Sequence, residues 1–391
     1  MKRIAMCAWI IAAGVSAMPA GQDESGFVPL FNGRDLHGWV SVTCAPETWT
    51  VVDGMIHTTG KPICELRTDR MYENFVLELD YKHLTPGGNS GVFIWGDALT
   101  ARGEPFVRAI EVQVLDGQNT ANYTSHGDVF AIHGAKMTPD RPHPAGWMRC
   151  LPSEHRARPA GEWNHYRITA RDGTIKLAVN GKEVSGGYNI TPRKGYVHLE
   201  SEGGEVLFRN LRIKELPSAG ALPAADVAQP DEAFVSRYNG IDFRGWEYPR
   251  GHEGHWVSKD WMIAYDAKSE AAEKDLSTTE SFGDVVVIAD WRRAAGADDT
   301  VLPIRIAGVE LPAGAREKIA RVLSTAPSPL QWHRAMLTKH HGKLSLAIDE
   351  AVVLRNVAVP ERAARGRIAL RHDGKPIEFA NIFTKDLDRK P

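Results

Sequence analysis

Residues 27–39 read FVPLFNGRDLHGW, and residues 234–246 read FVSRYNGIDFRGW. The two stretches share seven of thirteen residues, among them an Asn-Gly pair and the closing Gly-Trp. Asn-Gly is typical of tight turns because both residues tolerate a positive φ. A chain of 391 residues is long enough for two ordinary domains, each with its own core. The repeated opening therefore predicts two domains that begin with the same strand and turn.

Three later blocks recur in the same order after each opening. Similarity by chance does not preserve both order and spacing, so the blocks indicate two copies of one domain. Between the copies, the Pro- and Ala-rich stretch PSAGALPAADVAQP (217–230) has the composition of a linker. The chain is predicted to divide into residues 27–216, a linker at 217–232 and a shorter second copy at 233–388. The corresponding blocks are 72–82 with 282–292, 163–181 with 332–350, and 195–216 with 366–387.

Within each copy, short apolar and β-branched segments alternate with turn signals. Asp53-Gly54, Asp172-Gly173 and Asn180-Gly181 are typical of hairpins. After the N-terminal segment, helical periodicity is convincing only at residues 313–323, AGAREKIARVL. Many short strands with long loops predict an all-β fold in which each copy is a β-sandwich or jelly roll.

The N-terminus resembles a secretory signal. Two basic residues at positions 2 and 3 precede an apolar run over residues 4–15, and small residues follow. A buried N-terminal helix is the less favoured alternative. We predict a signal peptide over residues 1–20, cleaved after Ala17 or Ala20, and a periplasmic or secreted protein. No later run approaches the roughly 20 apolar residues of a membrane span, so no membrane anchor is expected after cleavage.

Charge and cysteine content restrict the remaining classes. The formal net charge of -2 gives no electrostatic reason to expect a nucleic-acid partner. Removal of the signal leaves Cys44, Cys64 and Cys150, which allow at most one disulfide bond. Proximity in the sequence favours a Cys44–Cys64 bond, and three buried thiols are the alternative.

The copies differ most between Tyr81 and Trp163, where the first copy is about twice as long as the second. In AIEVQVLDG (109–117), Ile110, Val112 and Val114 share one face of a strand, and Glu111 and Gln113 share the other. The polar face is suited to the floor of a sugar-binding groove, although a half-exposed strand that meets only water has the same pattern.

Other polar groups could join this groove. Asn89-Ser90-Gly91 begins a neighbouring strand, and His198 and Glu200 share a strand face further along the chain. A divalent metal is an alternative for His126, Asp128 and His133. These residues lack the close spacing of HxH or HExxH motifs, so solvated loop histidines are the favoured interpretation.

These blocks together resemble the 3-keto-disaccharide hydrolase domain family. The motifs are LFNGRDLHGW, Trp49 with Asp53-Gly54, NSGVF, EVQVLD, GEWN, Asn180-Gly181 and FRN, and they cover the first copy in order. The second copy has only the opening, the tryptophan block and the closing strands. The resemblance implies a concanavalin-like jelly roll and an exported enzyme whose partner is an oxidised, 3-keto sugar or glycan.

The implied reaction begins at a ketone on sugar C3, which acidifies the C2 proton. A base removes that proton, the glycosidic oxygen leaves C1, and water then adds back. Such a site needs a base, donors to the developing enolate and an acid for the leaving group. The candidates are Glu111 as base or metal ligand, Asn89 and Gln113 as donors, His133 or His198 as acid, and Trp95, Asp116 and Glu200 as further substrate contacts.

Two of these candidates carry specific expectations. Trp95 stands where the family often has a basic residue after NSGVFI, so it is predicted to be a stacking platform for a sugar ring. Glu111 and Asp116 lie on opposite strand faces if the strand is regular, which disfavours a direct two-carboxylate mechanism. No cofactor is required by the sequence, with a divalent metal as an alternative.

A carbohydrate-binding protein without catalysis is the competing function. It would share the fold and the groove, but it would have no need of Glu111, Gln113 and a histidine-bearing loop in one copy only. The sequence therefore favours an enzyme acting on 3-keto-glycosides in the first copy and no independent catalysis in the second.

Overall fold

The computed structural model describes residues 25–248, 250–270, 275–294, 301–324, 330–359 and 365–388. The predicted signal peptide at residues 1–20 lies outside these ranges. Among the helices of the described chain, none is both long and apolar enough to cross a membrane.

The first half of the described chain is built from strands that follow the alternation seen in the sequence. Their bounds are β1 (Val28–Pro29), β2 (Trp39–Val42), β3 (Trp49–Val52), β4 (Met55–Thr58), β5 (Cys64–Thr68), β6 (Phe75–His83), β7 (Asn89–Gly96), β8 (Ala109–Leu115), β9 (Val129–Ile132), β10 (Lys136–Pro139), β11 (Arg149–Cys150), β12 (Asn164–Arg171), β13 (Thr174–Val179), β14 (Lys182–Thr191), β15 (Tyr196–Ser201) and β16 (Val206–Glu215).

The second half adds a further set of strands and one α-helix. Their bounds are β17 (Val235–Ser236), β18 (Trp246–Glu247), β19 (Trp256–Lys259), β20 (Met262–Tyr265), β21 (Leu276–Phe282), β22 (Val285–Arg293), β23 (Ile304–Ile306), α1 (Ala315–Leu323), β24 (His333–His340), β25 (Lys343–Ile348), β26 (Ala351–Ala358), β27 (Gly366–Leu370) and β28 (Ile377–Asp386). The helix predicted at residues 313–323 is confirmed.

Each half forms two antiparallel sheets with the same strand order. In the first half, a nine-stranded sheet runs β10-β14-β13-β12-β6-β16-β4-β3 with β1 on β16, and a seven-stranded sheet runs β11-β9-β8-β7-β15-β5-β2. In the second half, an eight-stranded sheet runs β26-β25-β24-β22-β28-β20-β19 with β17 on β28, and a four-stranded sheet runs β23-β27-β21-β18. The prediction of an all-β chain with two tandem jelly-roll sandwiches is confirmed.

The first half has four strands that have no counterpart in the second half of the described chain. These are β8, β9, β10 and β11, and all of them lie in the inserted segment. Strands β8, β9 and β11 extend the seven-stranded sheet beyond β7. The insertion therefore enlarges the sheet that carries Glu111 and leaves the shared framework unchanged.

The repeated opening has the same local structure in both halves. Asn32 Oδ1 accepts the amide of Asp35 at 3.0 Å, and Asn239 Oδ1 accepts the amide of Asp242 at 3.0 Å. A glycine follows each asparagine with φ near 75°, where other residues are strained. Both closing tryptophans are buried and donate their indole N–H to the backbone nine residues earlier.

A separate apolar core fills each sandwich. In β8, Ile110, Val112 and Val114 are fully buried in the first core, so Glu111 and Gln113 point away from it. Burial of this apolar surface contributes most of the driving force for folding. The alternation predicted for this strand is thereby confirmed, and its polar face lies on the outer side of the seven-stranded sheet.

The second half packs on the β2 edge of that sheet. Val42 of β2 forms a small apolar cluster with Ile288 and Phe383, and Leu99 and Phe234 pack beside it. The turn between β19 and β20 contacts the first half as well, because Asp260 Oδ1 accepts the amide of residue 63 at 2.8 Å. The two sandwiches are thus joined by both apolar and polar contacts.

The segment between the halves is ordered against the first sandwich. It contains one turn of 3₁₀-helix, Ala224–Asp226, and Arg193 Nε lies 2.9 Å from Asp226 Oδ2. Further on, Arg67 donates to Asp231 at 2.6 Å. The stretch predicted as a linker from its composition is therefore a strap that follows the first half.

The cysteines pair as the sequence favoured. Cys44 and Cys64 form a disulfide bond with their Cα atoms 5.5 Å apart, and Cys150 is a buried free thiol. The bond joins the segment after β2 to the start of β5, next to Glu65 in the chain.

Candidate active site

Strand order brings polar side chains from four neighbouring strands onto one face. In register, Gln113 of β8 lies opposite Gly91 of β7, and Glu200 of β15 lies opposite Glu65 of β5. Because side chains alternate along a strand, Glu111 projects on the same face as Gln113. Glu202 joins them through a bridge to Asn89. Glu65, Glu111, Glu200 and Glu202 are called the acidic cluster below.

Gly91 makes room for two of these carboxylates. A Cβ atom at this position would lie 2.7 Å from Glu200 Oε2 and 3.2 Å from Glu111 Oε1. The two carboxylates therefore converge over a residue without a side chain. A glycine within a strand permits such a close approach, and here the approaching groups are carboxylates of the same protein.

Burial changes the protonation of the cluster. It raises the pKa of Glu111 to about 8, an effect that Arg149 opposes and that Glu202 reinforces. Burial raises the pKa of Glu200 well above its usual value, and the charge of Glu111 adds to the effect. Burial also raises the pKa of Glu202, an effect that its hydrogen bond with Glu200 opposes. The pKa values of Glu111, Glu200 and Glu202 are therefore all raised, and protonation of one carboxyl group affects the others.

Arg149 is a member of the site that the sequence did not reveal. Its Nε lies 3.1 Å from Asp128 Oδ2, and its guanidinium carbon lies 3.6 Å from the centre of the Phe130 ring. Phe130 of β9 pairs directly with Glu111 of β8. Arg149 thus supplies a fixed positive charge beside Glu111, and Asp128 and the aromatic face hold it in place.

His198 and Glu65 form a pair beneath the exposed part of the cluster. His198 Nδ1 lies 2.5 Å from Glu65 Oε2, and both side chains are fully buried. The amide of Val107 donates to Glu65 Oε1 at 2.7 Å. His198 is therefore placed to orient Glu65, and its predicted role as an acid stays a prediction.

The two predicted amide donors differ in availability. Asn89 Nδ2 donates to Glu202 Oε2, so this N–H is already used. Asn89 Oδ1 and Gln113 Oε1 both lack a hydrogen-bond partner in the described part of the chain, and Gln113 is 8 % exposed. Each side chain therefore keeps an unpaired acceptor oxygen on this face, and the donor role of Gln113 stays a prediction.

The predicted stacking role of Trp95 is wrong. The side chain is fully buried in the first core, where its ring packs edge-on against Phe75. Its indole N–H donates to the carbonyl of Glu73 at 2.8 Å. Trp95 has φ of 57°, and the pairing of β7 with β15 shifts register next to it. This irregularity turns the indole inward, where no sugar can reach it.

Asp116 and His133 also lie away from the acidic cluster. Asp116 accepts the amides of Gly87 at 2.9 Å and Ala160 at 3.0 Å, so it ties two loops together. The ring of His133 packs against Phe106 at the end of β9, and burial lowers the pKa of His133. Their predicted roles as substrate contact and acid are therefore not supported by their positions.

An exposed tryptophan lies beside the open end of the sheet. Trp147 is 47 % exposed and stacks on His143 with ring centres 4.8 Å apart. The carbonyl of Met148 accepts the amide of Ala131, which joins this loop to β9 one residue before Arg149. The only sequence signal for Trp147 is its presence in the inserted segment.

Residues 26–214 match the family model of the 3-keto-alpha-glucoside-1,2-lyase-like domain. This part of the chain belongs to that family. The lyase-like domain therefore comprises the first sandwich with its inserted strands, and the acidic cluster lies within it. The family predicted from the sequence motifs is confirmed for the first half.

Individual relatives match about half of the chain. The chain is 26 % identical over 258 residues to a 3-keto-disaccharide hydrolase of Bacteroides thetaiotaomicron, covering 52 % of this chain and 83 % of the relative. A crystal structure of a candidate glycosyl hydrolase from Parabacteroides distasonis is 24 % identical, with a TM-score of 0.39, covering 49 % of this chain and 94 % of that one. A carbohydrate-binding module from Bacillus subtilis is 12 % identical, with a TM-score of 0.33, covering 46 % and 96 %.

No set of three metal-ligating groups converges in the described part of the lyase-like domain. His126 instead stacks on His155 with ring centres 4.1 Å apart, and Asp128 accepts hydrogen bonds from Thr124. Within the described ranges, such a set occurs in the second half of the chain. The metal alternative raised for His126, Asp128 and His133 therefore has no geometric support.

Proposed function

We propose that the lyase-like domain cleaves 3-keto-glycosides, including 3-keto-disaccharides, by C2 deprotonation, elimination and hydration. The observation that carries this proposal is the position of Glu111. The residue is 6 % exposed, its carboxylate converges with that of Glu200 over Gly91, and burial raises its pKa to about 8. A general base is most effective when its pKa lies near the working pH.

The first step removes one proton from carbon. Ionised Glu111 takes the C2 proton, and the electrons of the C2–H bond move into the C2–C3 bond as the C3 ketone becomes an enolate. The fixed charge of Arg149 beside Glu111 and the side-chain amide of Gln113 favour the negative charge that develops on the substrate. A raised pKa makes Glu111 a stronger base than an ordinary carboxylate.

The second step breaks the glycosidic bond. As the enolate collapses, the C1–O bond breaks, a C1–C2 double bond forms, and Glu200 donates its proton to the leaving oxygen. The high pKa of Glu200 keeps this acid protonated while Glu111 is ionised. Water then adds its oxygen to C1 and a proton returns to C2, so the overall reaction is hydrolysis. The name of the Bacteroides relative agrees with this net reaction.

Substrate recognition is assigned to the open end of the site. Trp147 offers an exposed indole in the loop that leads into Arg149, and its stacking on His143 holds that ring in place. Sugar rings pack their C–H faces on aromatic side chains, which combine a large apolar surface with little loss of side-chain entropy. We assign Trp147, in place of Trp95, as the platform for the sugar.

The second half is assigned a supporting role as a degenerate copy of the domain. Its strand order repeats that of the first half, which supports a common origin. Its described residues contain no counterpart of the inserted strands, and Ala369 and Arg371 stand where the first half has His198 and Glu200. The proposal also includes domain boundaries at residues 27–216 and 233–388. It further includes export of the protein by its N-terminal segment.

The proposal is tested by turnover of a synthetic 3-keto-glucoside in D₂O. We expect release of the aglycone with deuterium at C2 of the 3-keto-glucose product, because the abstracted proton exchanges with solvent. Incubation of product with enzyme-free buffer measures background exchange. Product formed without deuterium above this background would exclude C2 deprotonation.

The variant Glu111→Gln tests the assigned base, and Glu104→Gln is a matched control in the same inserted segment. We expect Glu111→Gln to lose about 10²- to 10⁴-fold in kcat, as for removal of a general base, and Glu104→Gln to retain activity. Equal activity of wild type and Glu111→Gln would remove Glu111 from the mechanism. Sugar binding without turnover of any 3-keto-glycoside would favour the competing function, a carbohydrate-binding protein.

A further inference from the structure

Two adjacent histidines meet an aspartate in the second half. His340 ends β24, and His341 and Gly342, with φ of 48° and 69°, form the two-residue turn into β25. Asp284 precedes β22, the strand paired with β24. The amide of His341 donates to Asp284 Oδ2 at 2.8 Å, so the two turns are joined by their backbone as well as by their side chains.

The side chains face one another at distances longer than hydrogen bonds. His340 Nδ1 lies 3.7 Å from Asp284 Oδ2, and His341 Nδ1 lies 3.6 Å from the same oxygen. One ligand atom from each of the three residues lies within 4.8 Å of the others. His340 Nδ1 is shielded from solvent and has no hydrogen-bond partner in the described chain. A shielded, unpaired nitrogen that faces a carboxylate across such a gap fits a cation between them.

We infer that Asp284, His340 and His341 form a binding site for a divalent transition metal such as zinc. Zinc binds histidine nitrogen at about 2.0–2.1 Å and carboxylate oxygen at about 2.0–2.2 Å, so ligand atoms in a tetrahedral site lie about 3.4 Å apart. The observed separations of 3.6 and 3.7 Å differ from that spacing by a few tenths of an ångström. Small rotations of the side chains would complete three protein ligands.

The fourth position of this site is open to solvent. His341 is the outermost ligand, with a side chain that is 83 % exposed. Water is the expected fourth ligand, as in zinc sites that have three protein ligands. Imidazole and carboxylate ligands suit zinc, nickel and copper better than calcium, which prefers an all-oxygen shell.

The surrounding chain fixes the aspartate. The amide of Asp284 donates to Asp388 Oδ2 at 3.2 Å, and its carbonyl accepts the amide of Leu387 at 2.9 Å. A Cβ at Gly283 would lie 1.9 Å from Asp388 Oδ2, so the turn passes close to this second carboxylate. Lys339 Nζ donates to the carbonyl of Gly283 at 3.2 Å. These contacts fix the backbone of Asp284, and the His341 amide holds its carboxylate, which lowers the cost of ordering the site.

The experiment is calorimetric titration of the full chain with zinc alone, without an affinity tag and after dialysis against a chelator. We expect one zinc per chain at pH 7.5. We expect His341→Asn and Asp284→Asn each to weaken binding at least tenfold. His155→Asn removes one member of the stacked His126–His155 pair, which lacks a third ligand, and is expected to leave binding unchanged.

Each result decides the inference. A wild-type chain that binds no zinc at 0.1 mM, or that binds it equally well in His341→Asn, would overturn it. Because His341 is so exposed, its replacement is not expected to affect folding, which circular dichroism checks. If His341→Asn fails to fold, Asp284→Asn together with the visible spectrum of bound Co²⁺ decides instead, because cobalt bands unchanged by Asp284→Asn would exclude the site. Activity on 3-keto-glycosides plays no part in these readouts.

Discussion

Three equivalent positions on the larger sheet of each half carry hydrogen-bonded polar side chains, called the triad of that half. The first triad is Asp80, His165 and Asn210, and the second, which alone is covered by protein, is Asp290, Arg334 and Asn381. In the first half, Asp80 accepts hydrogen bonds from His165 at 2.8 Å and Asn210 at 2.7 Å. In the second half, Asp290 occupies the corresponding position and accepts from Arg334 at 2.6 Å and from Asn381 at 2.8 Å. The first triad lines a surface cavity of about 560 Å³.

The second triad binds the backbone of the first half. Asp290 accepts the amide of Gly103 at 2.7 Å, and Asn381 donates to the carbonyls of Ala101 and Glu104 at 2.9 and 3.1 Å. Gly103 lies against Trp332, where a Cβ would come within 2.1 Å of the ring. The surface around the triad is open in the first sandwich, whereas in the second sandwich the equivalent surface binds the loop at residues 101–104 of the first half.

This loop connects the triad of the second half to the acidic cluster. It joins β7 to β8, the strands that carry Gly91 and Glu111, and its Val107 amide donates to Glu65. The second half therefore fixes a loop that contacts the acidic cluster. Under the proposed function, the two halves divide chemistry and support between them, and the following variants test that division.

Gly91→Ala is expected to have the largest effect. The new Cβ would lie 2.7 Å from Glu200 Oε2, so the carboxylate must leave its place beside Glu111. Because misplacement of a reacting group by about 1 Å costs on the order of 10²-fold, kcat should fall by about that factor. Steady-state kinetics on a 3-keto-glucoside measure the effect. An unchanged kcat would show that the convergence over Gly91 is not needed for turnover.

Asp290→Ala should destabilise the protein more than Asp80→Ala. The Asp290 side chain is fully buried and that of Asp80 is 15 % exposed, so the first variant leaves Arg334, whose side chain is 23 % exposed, without its buried partner. Loss of one partner of a buried pair costs roughly 3 kcal/mol, against about 1 kcal/mol for a more exposed pair. Chemical denaturation of both variants measures the difference. Equal free energies of unfolding would contradict the distinction drawn between the triads.

The pH dependence of kcat/KM should differ from that of the stability of the folded state. Glu111 must be ionised to act as a base, so kcat/KM should rise about tenfold per pH unit below its pKa of about 8. Stability should change in the opposite direction. The pKa of Glu111 is raised from 4.5 on folding, so the folded state binds more protons between about pH 4.5 and 8 and loses stability as the pH rises through that window.

Thermal unfolding from pH 5 to 8.5 measures the stability term. Glu111→Gln removes the titrating group, so its melting temperature should depend less steeply on pH than that of the wild type. Parallel curves for the two proteins would assign the pH dependence to other groups.

Trp147→Ala is expected to have the smallest effect. Loss of one aromatic platform costs about 0.5–1.5 kcal/mol of binding, so KM should rise roughly two- to tenfold while kcat changes little. Trp163→Ala offers a comparison, because this ring lies on the other sheet under Arg209. If Trp163→Ala raised KM more than Trp147→Ala did, the sugar would bind on the other sheet, and the assignment of Trp147 would be wrong.

Local patterns predicted much of the fold. Alternation in β8 correctly separated Glu111 and Gln113 from the core, because the two faces of a strand are visible in six or seven residues. The repeated blocks predicted which strands of the two halves correspond, because corresponding blocks keep the same order and spacing. The irregularity at Trp95 was invisible in the sequence, since a shift in register depends on the neighbouring strand.

The rest of the candidate site depends on which strands become neighbours. Glu65 and Glu200 are 135 positions apart in the chain, yet they face each other because β5 and β15 are adjacent. Arg149 reaches Glu111 through β9 and β11, which are short and have weak sequence signals. Such groups are assembled by long-range strand pairing, and periodicity within one segment carries no information about it.

Strand β2 lies at one end of the seven-stranded sheet, and an uncovered end strand offers unpaired amides and carbonyls to other chains. Here Val42 is covered by Ile288 and Phe383, and the Cys44–Cys64 bond fastens the end of the strand to β5. We therefore expect the second half to hinder growth of this sheet from one molecule to the next.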